Sequence, residues 1–508
     1  MFFKTIFFLI LIGLPALVKA APDDPQKEVE ILTIYDKKNQ FSSNYQLLKR
    51  EDFANSSQTL ADILQGVNGL QIRQIGGLGN PVSVSIRGSN SKQVQLYIDG
   101  QLVNDSQFGG FDLNQIPTEQ IQSIEISKNQ ALGAGSTPIG GVIRINTYNP
   151  NQDKLKLSLV LGSFHHQELN LLYNKAFKNN NLAIGASYLQ TDNDYDYLVP
   201  QSFNNSNQST VEPLTNNQFE KKNLYLNNQL FLKNHKIRFT GQYSEQQKAL
   251  PNYQNNTPEN NTNLTADIWR LGYNHNLLTD QTWLDNVEFE VFQEVKSERF
   301  LDILGDEISL DANYDSRKTH ADISATFIAA SQLGDFAISP FIEVNKQQFE
   351  SLSFDVNGQI SCNGISRCDV KAQQNQVLLG TRIEWQQTEG PFSAYSFVTQ
   401  LNEKNENSAI NQTNSAAFSN KQNHQTQEVG LVYQGQGLKS ELTASRGIRT
   451  PTLFELFGDR GLLKGSKSLQ PEQADTLSLG LVYSNQIAEM NYSIHSSLYH
   501  QQSNNAIV

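Results

Sequence analysis

From Lys154 onward, apolar residues recur at every second position, and this alternation restricts the chain to few architectures. Leu155, Leu157, Leu159 and Leu161 alternate with mostly polar partners, as do Leu182, Ile184, Ala186 and Tyr188. Val287, Phe289, Val291 and Val295 follow, with Gln293 interrupting, then Ile323, Ala325 and Phe327, then Phe336, Ile338, Ile342 and Val344. Further on come Val377, Leu379, Ile383 and Trp385, then Val429, Leu431 and Tyr433, then Leu477, Leu479, Leu481 and Tyr483. Successive side chains of a strand point to opposite faces, so each run reads as a strand with one apolar face. Such strands build either a sandwich with a shared core or a barrel whose apolar face meets lipid. No internal apolar run approaches the ~18 residues of a membrane helix.

Connection lengths separate the two. Short turns are expected at 179–181, 233–236, 332–335, 388–391 and 435–437. Between them lie polar stretches at about 191–217, 247–264, 298–319, 348–374, 403–423 and 447–473. Short and long connections alternate over some 350 residues. An outer-membrane barrel has this pattern, with short periplasmic turns and long external loops, whereas a sandwich has no reason to keep it. About fifteen strands are counted this way.

Met1–Ala20 has the form of a secretory signal: Lys4, an apolar core over Phe7–Leu14 and a small-residue cleavage site at Val18-Lys-Ala20. Cys362 and Cys368 then sit in an oxidising compartment, with five residues between them in a Gly/Ser/Asn-containing segment, where a disulfide is expected over a metal pair. A net charge of −12 argues against nucleic acid as a partner.

The N-terminal part differs. Leu60-Ala-Asp-Ile-Leu-Gln-Gly-Val-Asn-Gly69 has helical spacing and a glycine stop. Val82–Gly88, Val94–Gly100, Ile121–Ile126 and Ile139–Ile145 are short strand-like runs, most of them bounded by Gly, Asp-Gly or Gly-Gly. Together they predict a small α/β globule of roughly a hundred residues.

The ordered set Leu60-Ala-Asp-Ile-Leu, Gly69-Leu-Gln-Ile, Ile86-Arg-Gly, Tyr97-Ile-Asp-Gly, Ile124-Glu-Ile and Ile139-Gly-Gly-Val-Ile resembles the plug of TonB-dependent outer-membrane receptors. Among them it is most similar to the plug of the cobalamin receptor and its relatives. Lys128-Asn129-Gln130 and Ala134 depart from the usual Arg-Gly-Pro…Tyr segment. Near the end, Ser445–Phe457 and Leu469–Glu472 resemble a second family signature on a late external loop.

The resemblance implies a membrane all-β protein with an N-terminal α/β plug inside a C-terminal antiparallel transmembrane β-barrel. The expected division is a signal at 1–20, a flexible N-terminus at 21–45, a plug at 46–148 and a barrel at 154–508. About 15 of the ~22 strands of a plugged transporter are then present. The strands near 155–162 and 488–499 are accordingly expected not to pair, and the chain ends on Asn505-Ala-Ile-Val508 rather than on the aromatic residue usual in the family.

Function follows as an expectation: uptake of a large scarce nutrient across the outer membrane of a Gram-negative bacterium. Cobalamin or a related compound is the first choice and a ferric siderophore the second; a secreted β-sandwich adhesin or enzyme is the reading from another class. A monomer is expected, with no catalytic constellation. The TonB box, which pairs with the energy-coupling protein TonB by strand addition, is expected at Val29, Glu30, Ile31, Leu32, Thr33, Ile34 and Tyr35. Ile86, Arg87, Gly88, Asp99, Gly100, Gly140 and Gly141 form the plug's core motif, with Arg87 expected to ion-pair with barrel carboxylates.

By resemblance, the outward plug loops 76–81 and 104–111 meet the ligand, through Asn80, Asn104, Phe108 and Phe111. Their neutral amides suit a large, partly polar ligand better than an anionic iron chelate, which would favour an Arg/Lys cluster. No cofactor is expected beyond Ca²⁺ in an external loop, on Asp192, Asp194 and Asp196, which would share one face of a strand. His165 and His166 are read as surface turn residues.

Overall fold

In the computed structural model, the residues described are 44–54, 58–74, 77–106, 109–128, 138–147, 153–199, 210–251, 260–304, 307–354, 370–408, 418–458, 465–487 and 490–507. The N-terminal elements are β1 (Tyr45–Lys49), α1 (Arg50–Phe53), α2 (Leu60–Gln65), β2 (Leu70–Gln74), β3 (Val82–Ile86), β4 (Val94–Ile98), β5 (Gln101–Leu102), β6 (Ile121–Ser127) and β7 (Gly141–Thr147). One sheet runs β1-β6-β7-β4-β5, with β4 and β7 parallel, and β2 and β3 form a separate hairpin.

Helix α2 starts where Thr59 and Asp62 form a capping box, and it buries Leu60, Ala61 and Leu64. These side chains join Val82, Val84, Ile86, Leu96, Ile124, Ile126 and Ile143 in one core. Most of that core comes from residues at alternate strand positions, so the plug has an apolar core of its own, separate from the barrel wall.

The remaining strands form a single antiparallel sheet. They are β8 (Lys154–Leu161), β9 (Gln167–Phe177), β10 (Asn180–Thr191), then β13 (Phe219–Leu232), β14 (His235–Leu250), β15 (Asn260–Leu278), β16 (Leu284–Leu304) and β17 (Glu307–Ser331). After these come β18 (Gly334–Phe354), β19 (Val370–Gln386), β20 (Phe392–Ser408), β21 (Phe418–Gly435), β22 (Leu438–Arg449), β23 (Glu472–Ile487) and β24 (Met490–Asn504). A small hairpin, β11 (Asp196–Val199) with β12 (Thr210–Pro213), stands in the first long connection. The 15-stranded sheet runs in unbroken chain order with β8 and β24 as its two edges, so, as expected, these two strands do not pair.

Side-chain exposure decides between sandwich and barrel. The apolar positions of the alternation point outward: Leu155, Leu157, Ile342, Val377, Leu379, Val429, Leu431 and Leu477 are all exposed, while their neighbour Leu378 is buried. A sandwich would bury that stripe, so the outward apolar band is a lipid-facing wall. Polar side chains fill the lumen instead, Asn227, Gln229, Glu290, Glu294, Lys318 and Glu441 among them.

Loop extents differ from the sequence expectation. Within 298–319, residues 298–304 and 307–319 are strand, because β16 runs on to Leu304 and β17 starts at Glu307. The connections after β14, β18, β20 and β22 likewise shrink from their strand ends, whereas the first still separates Thr191 from Phe219. A membrane crossing needs only ~9–11 residues, yet β17 has 25. The polar outer halves of these strands stand above the lipid, and polarity alone made them read as loop.

Candidate functional site

The plug motif builds three tight backbone features. Asp99 and Gly100, with φ of 52° and 93°, close the β4–β5 hairpin as a two-residue turn that demands positive φ at both positions. The Asp99 carboxylate accepts from the Thr147 backbone N–H at 2.9 Å and from the Thr147 hydroxyl, with Arg238 of β14 at 3.7 Å. Gly140 and Gly141 allow a close crossing. A Cβ on Gly140 would lie 2.9 Å from the Gln93 carbonyl oxygen, and one on Gly141 2.5 Å from that of Ser127.

Ile86 is fully buried, and Arg87 and Gly88 turn the chain with φ of 54° and 79°. Among the described residues, Arg87 makes no ion pair with a wall carboxylate, contrary to expectation. Its guanidinium donates to Asn44 Oδ1 at 2.6 Å, to the Lys128 carbonyl at 3.3 Å and to Ser497 Oγ at 3.2 Å, and it lies over the Tyr499 ring. Neutral acceptors and an aromatic face of the edge strand β24 take the place of a counter-ion.

Of the four ligand-contact residues, two are spent inside the protein. Asn104 uses its whole amide on backbone: Oδ1 accepts from Leu96 N, and Nδ2 donates to the Val94 and Gly109 carbonyls, each at 2.8 Å. Phe111 turns into the plug core rather than outward, with Arg270 of the wall 5.9 Å from its ring centre. Asn80 ties the plug to the wall, since its Oδ1 accepts from Lys248 Nζ of β14. Phe108 lies outside the described residues.

The same side of the plug is clamped further. Asn193 Nδ2 donates to the Leu78 carbonyl at 2.9 Å, and Gly79 lies so close to the Phe219 ring that a Cβ would meet it at 2.5 Å. Lys221, just inside the outer end of β13, donates to the Asn114 carbonyl. Burial pulls its ammonium down to about 8. Burial also raises the Asp112 carboxyl, against backbone N–H donation from Val82 and Asn114.

Facing outward between plug and wall is a cavity of about 130 Å³. Its polar lining includes Gln93 and Gln95 of the plug, Gln347, Gln374 and Gln376 of the wall and Thr450 of the following loop, with the charged Lys92, Asp105, Lys318, Glu343 and Arg449 among them. Ligand pockets usually measure ~300–1,000 Å³, so this is a floor rather than a complete pocket for a large ligand. A wider cleft of about 610 Å³, lined by Gln190, Asn216, Gln247 and Lys248 among others, opens at the rim beside β10 and β13–β15.

The loop after β22 folds inward over this floor. Helix α3 (Leu453–Phe457) starts at a Thr452/Glu455 capping box and buries Leu453 and Leu456. Leu453 packs with Tyr314, Phe349, Val370 and Ala372 of the wall. Arg449 donates to Glu472 at 2.6 Å and to Glu455 at 2.8 Å. Lys92 of the plug reaches Glu455 at 2.7 Å and Gln93 reaches Glu472 at 2.9 Å. For both carboxyls burial opposes ionisation, but these donors outweigh it and hold them below the ordinary glutamate range. No single position in the sequence marks this network; the only signal was the late signature Ser445–Phe457, which contains Arg449 and Glu455.

Comparison with known proteins agrees with this architecture. Residues 37–142 match the family described as TonB-dependent Receptor Plug Domain, and residues 133–508 match TonB dependent receptor-like, beta-barrel. The chain belongs to the TonB-dependent receptor family. The receptor is therefore an outer-membrane protein of a Gram-negative bacterium.

Among curated relatives, the Vitamin B12 transporter BtuB of Vibrio vulnificus (strain CMCP6) is 29% identical over 251 residues, 47% of this chain and 39% of that protein. BtuB of Vibrio cholerae serotype O1 (strain M66-2) is 35% identical over 132 residues, 25% of this chain and 22% of that protein. The matched stretches thus span under two fifths of these relatives. Among solved structures, the copper transporter OprC superposes with a TM-score of 0.70 at 12% identity, covering 90% of this chain and 71% of that one. The ferric yersiniabactin uptake receptor FyuA of Yersinia pestis gives 0.64 at 13%, covering 90% and 72%. At such identities the likeness is one of fold.

The remaining expected sites fare differently. The TonB-box residues 29–35 and both cysteines, Cys362 and Cys368, lie outside the described residues. Asp192, Asp194 and Asp196 do not share a strand face, because Asn193 takes φ 49° and breaks the extended run. Asp192 and Asp194 gather instead with His165, whose Nδ1 is 2.9 Å from Asp192 Oδ2, at an exposed rim position.

Proposed function

We propose that this receptor takes up cobalamin or a compound of that class, as a monomer, using energy delivered by TonB. The observation that carries the reading is the polarity of the cavity floor. Its lining sets the neutral amides of Gln93, Gln95, Gln347, Gln374 and Gln376 beside the charged Lys92, Asp105, Lys318, Glu343 and Arg449, and the amides suit a large ligand rich in amide and hydroxyl groups. A highly charged ferric chelate calls for arginine and lysine forks; here Arg449 and Lys92 are paired with Glu455 and Glu472, and Lys318 donates to the Leu102 and Asn104 carbonyls. The similarity of 47% of the chain to a vitamin B12 transporter supports the same choice.

The ligand would rest above the floor, with the loop carrying α3 completing the pocket. Pulling on residues 29–35 by strand addition would then loosen the plug. The test uses a host lacking its own cobalamin receptor, with labelled cyanocobalamin bound at the surface and counted inside. Expected are binding and uptake, with Leu32→Pro abolishing uptake but not binding, since proline removes a ladder N–H. Rescue by a ferric siderophore and not by cobalamin would overturn the ligand class, and unchanged uptake in Leu32→Pro would overturn the box.

A further inference from the structure

Inside the barrel, directly under the Asp99–Gly100 turn, the wall carries a row of carboxylates that nothing above uses. Strand register puts Glu290 of β16 opposite Asp322 of β17, and Asp322 opposite Glu343 of β18. Three acids thus stand side by side across three strands, facing the lumen. Like charges directly opposite one another destabilise a sheet, and their partial burial strengthens that repulsion. The same rung continues through Asn274 to Arg238, but that guanidinium lies against Asp99. Glu288, two residues before Glu290, adds a fourth acid that shares the Asn274 amide with Glu290.

His320 sits two residues before Asp322, on the same face. Its Nδ1 lies 2.8 Å from Asn345 Oδ1, an acceptor, so Nδ1 carries the proton. In the neutral ring this leaves the Nε2 lone pair facing Asp322 Oδ1 at 3.1 Å. Two lone pairs at that distance need something positive between them, either a second proton on the ring or a metal ion. Two ligands of a tetrahedral zinc, with bonds of ~2.0–2.1 Å, lie about 3.3 Å apart.

Glu290 stands beside them. It is 7% exposed, and its Oε1 is buried without a hydrogen-bond partner. Donor atoms of Glu290, His320 and Asp322 all lie within 4.8 Å of one another.

We propose that Glu290, His320 and Asp322 form a binding site for a divalent transition ion of the Zn²⁺ class, held by one imidazole nitrogen and two carboxylates. Asn345 fixes the tautomer of His320, as an outer partner does for metal-bound histidines, and Glu343 lies 3.7 Å from the same Nδ1. The ion would relieve the charge of the rung and cross-link β16 and β17. It would do so under the plug, because Glu290 Oε2 is only 3.0 Å from where a Cβ on Gly100 would stand.

The test uses the full chain in detergent, stripped with EDTA, reloaded with Zn²⁺ and analysed for retained metal. One equivalent should survive desalting in His165→Asn, which removes the rim cluster. Binding should weaken at least tenfold in His320→Asn and in Glu290→Gln, with heat-modifiable migration unchanged. Equal retention in those two variants, or loss in His165→Asn alone, would overturn the assignment.

If either lumen variant fails to fold, X-ray absorption of Co²⁺ bound to His165→Asn decides. One imidazole with oxygen ligands supports the site, and a shell without imidazole refutes it. Absence of binding, with both His320 nitrogens protonated by ¹⁵N NMR at pH 7, would instead make His320 a plain counter-ion and refute the site.

Discussion

Replacing Arg449 by alanine should free the inward loop while leaving the wall intact, and burial rather than contact geometry sets the size of the effect. Arg449 and its partners Glu472 and Glu455 have side chains only 7%, 1% and 9% exposed. Three residues earlier on the same strand, Arg446 forms two hydrogen bonds to Asp475, at 2.7 and 2.9 Å, but both side chains are 50% exposed. By hydrogen-bond geometry the Arg446 pair looks at least as good.

Solvent reverses the ranking. An exposed pair contributes ~0–1 kcal/mol, whereas removing one partner of a buried pair costs ~3–5 kcal/mol because it strands a desolvated charge. Lys92 and Gln93 remain to Glu455 and Glu472, so the lower end, about 3 kcal/mol, is expected for Arg449→Ala. At ~1.4 kcal/mol per factor of ten, that is roughly a hundredfold loss of protection. Hydrogen exchange of the 453–457 amides should accelerate by about that factor in Arg449→Ala and less than about fivefold in Arg446→Ala. Equal effects, or no change in Arg449→Ala, would refute the argument that burial governs this latch.

Three further outcomes follow from the same geometry. Gly141→Ala should loosen the plug, because its Cβ would meet the Ser127 carbonyl oxygen at 2.5 Å on a φ of 118°. A cost of ~1–3 kcal/mol is expected, read as faster proteolysis between β6 and β7. Acidification should release the loop, since Glu455 and Glu472 are held below their ordinary range. Their contribution is complete above the unfolded glutamate value of ~4.3 and is lost as pH falls through the lower folded values. Exchange of α3, corrected for intrinsic rates, should therefore be flat from pH 7 to 5 and rise only below. Lys221 should titrate at about 8, which a ¹⁵N-lysine NMR titration reads directly. Because the unfolded chain then holds more protons between pH 8 and ~10.4, stability should rise with pH across that window. A Lys221 midpoint above 10 would sink this account of its burial.

Much of the architecture was legible in the residues. Period-two alternation names the strand faces, and the rhythm of short and long connections selects the barrel. The Asp99-Gly100 and Gly140-Gly141 pairs identify turns and crossings that only glycine or a short polar residue tolerates. These are local properties, set by backbone sterics and by which side of a strand a side chain takes.

Pairings between distant segments were not legible. Alternation says that Glu290, Asp322 and Glu343 each face the lumen, but only the register of three strands lines them up. Asn104 and Phe111 read as free loop groups because nothing in their neighbourhood shows that the loop folds back to consume the amide and bury the ring. Arg87 found Ser497 and Tyr499, some four hundred residues away, in place of a carboxylate. Face is decided by one residue and its neighbours, whereas partner and burial depend on where the rest of the chain closes around it, which only the tertiary structure decides.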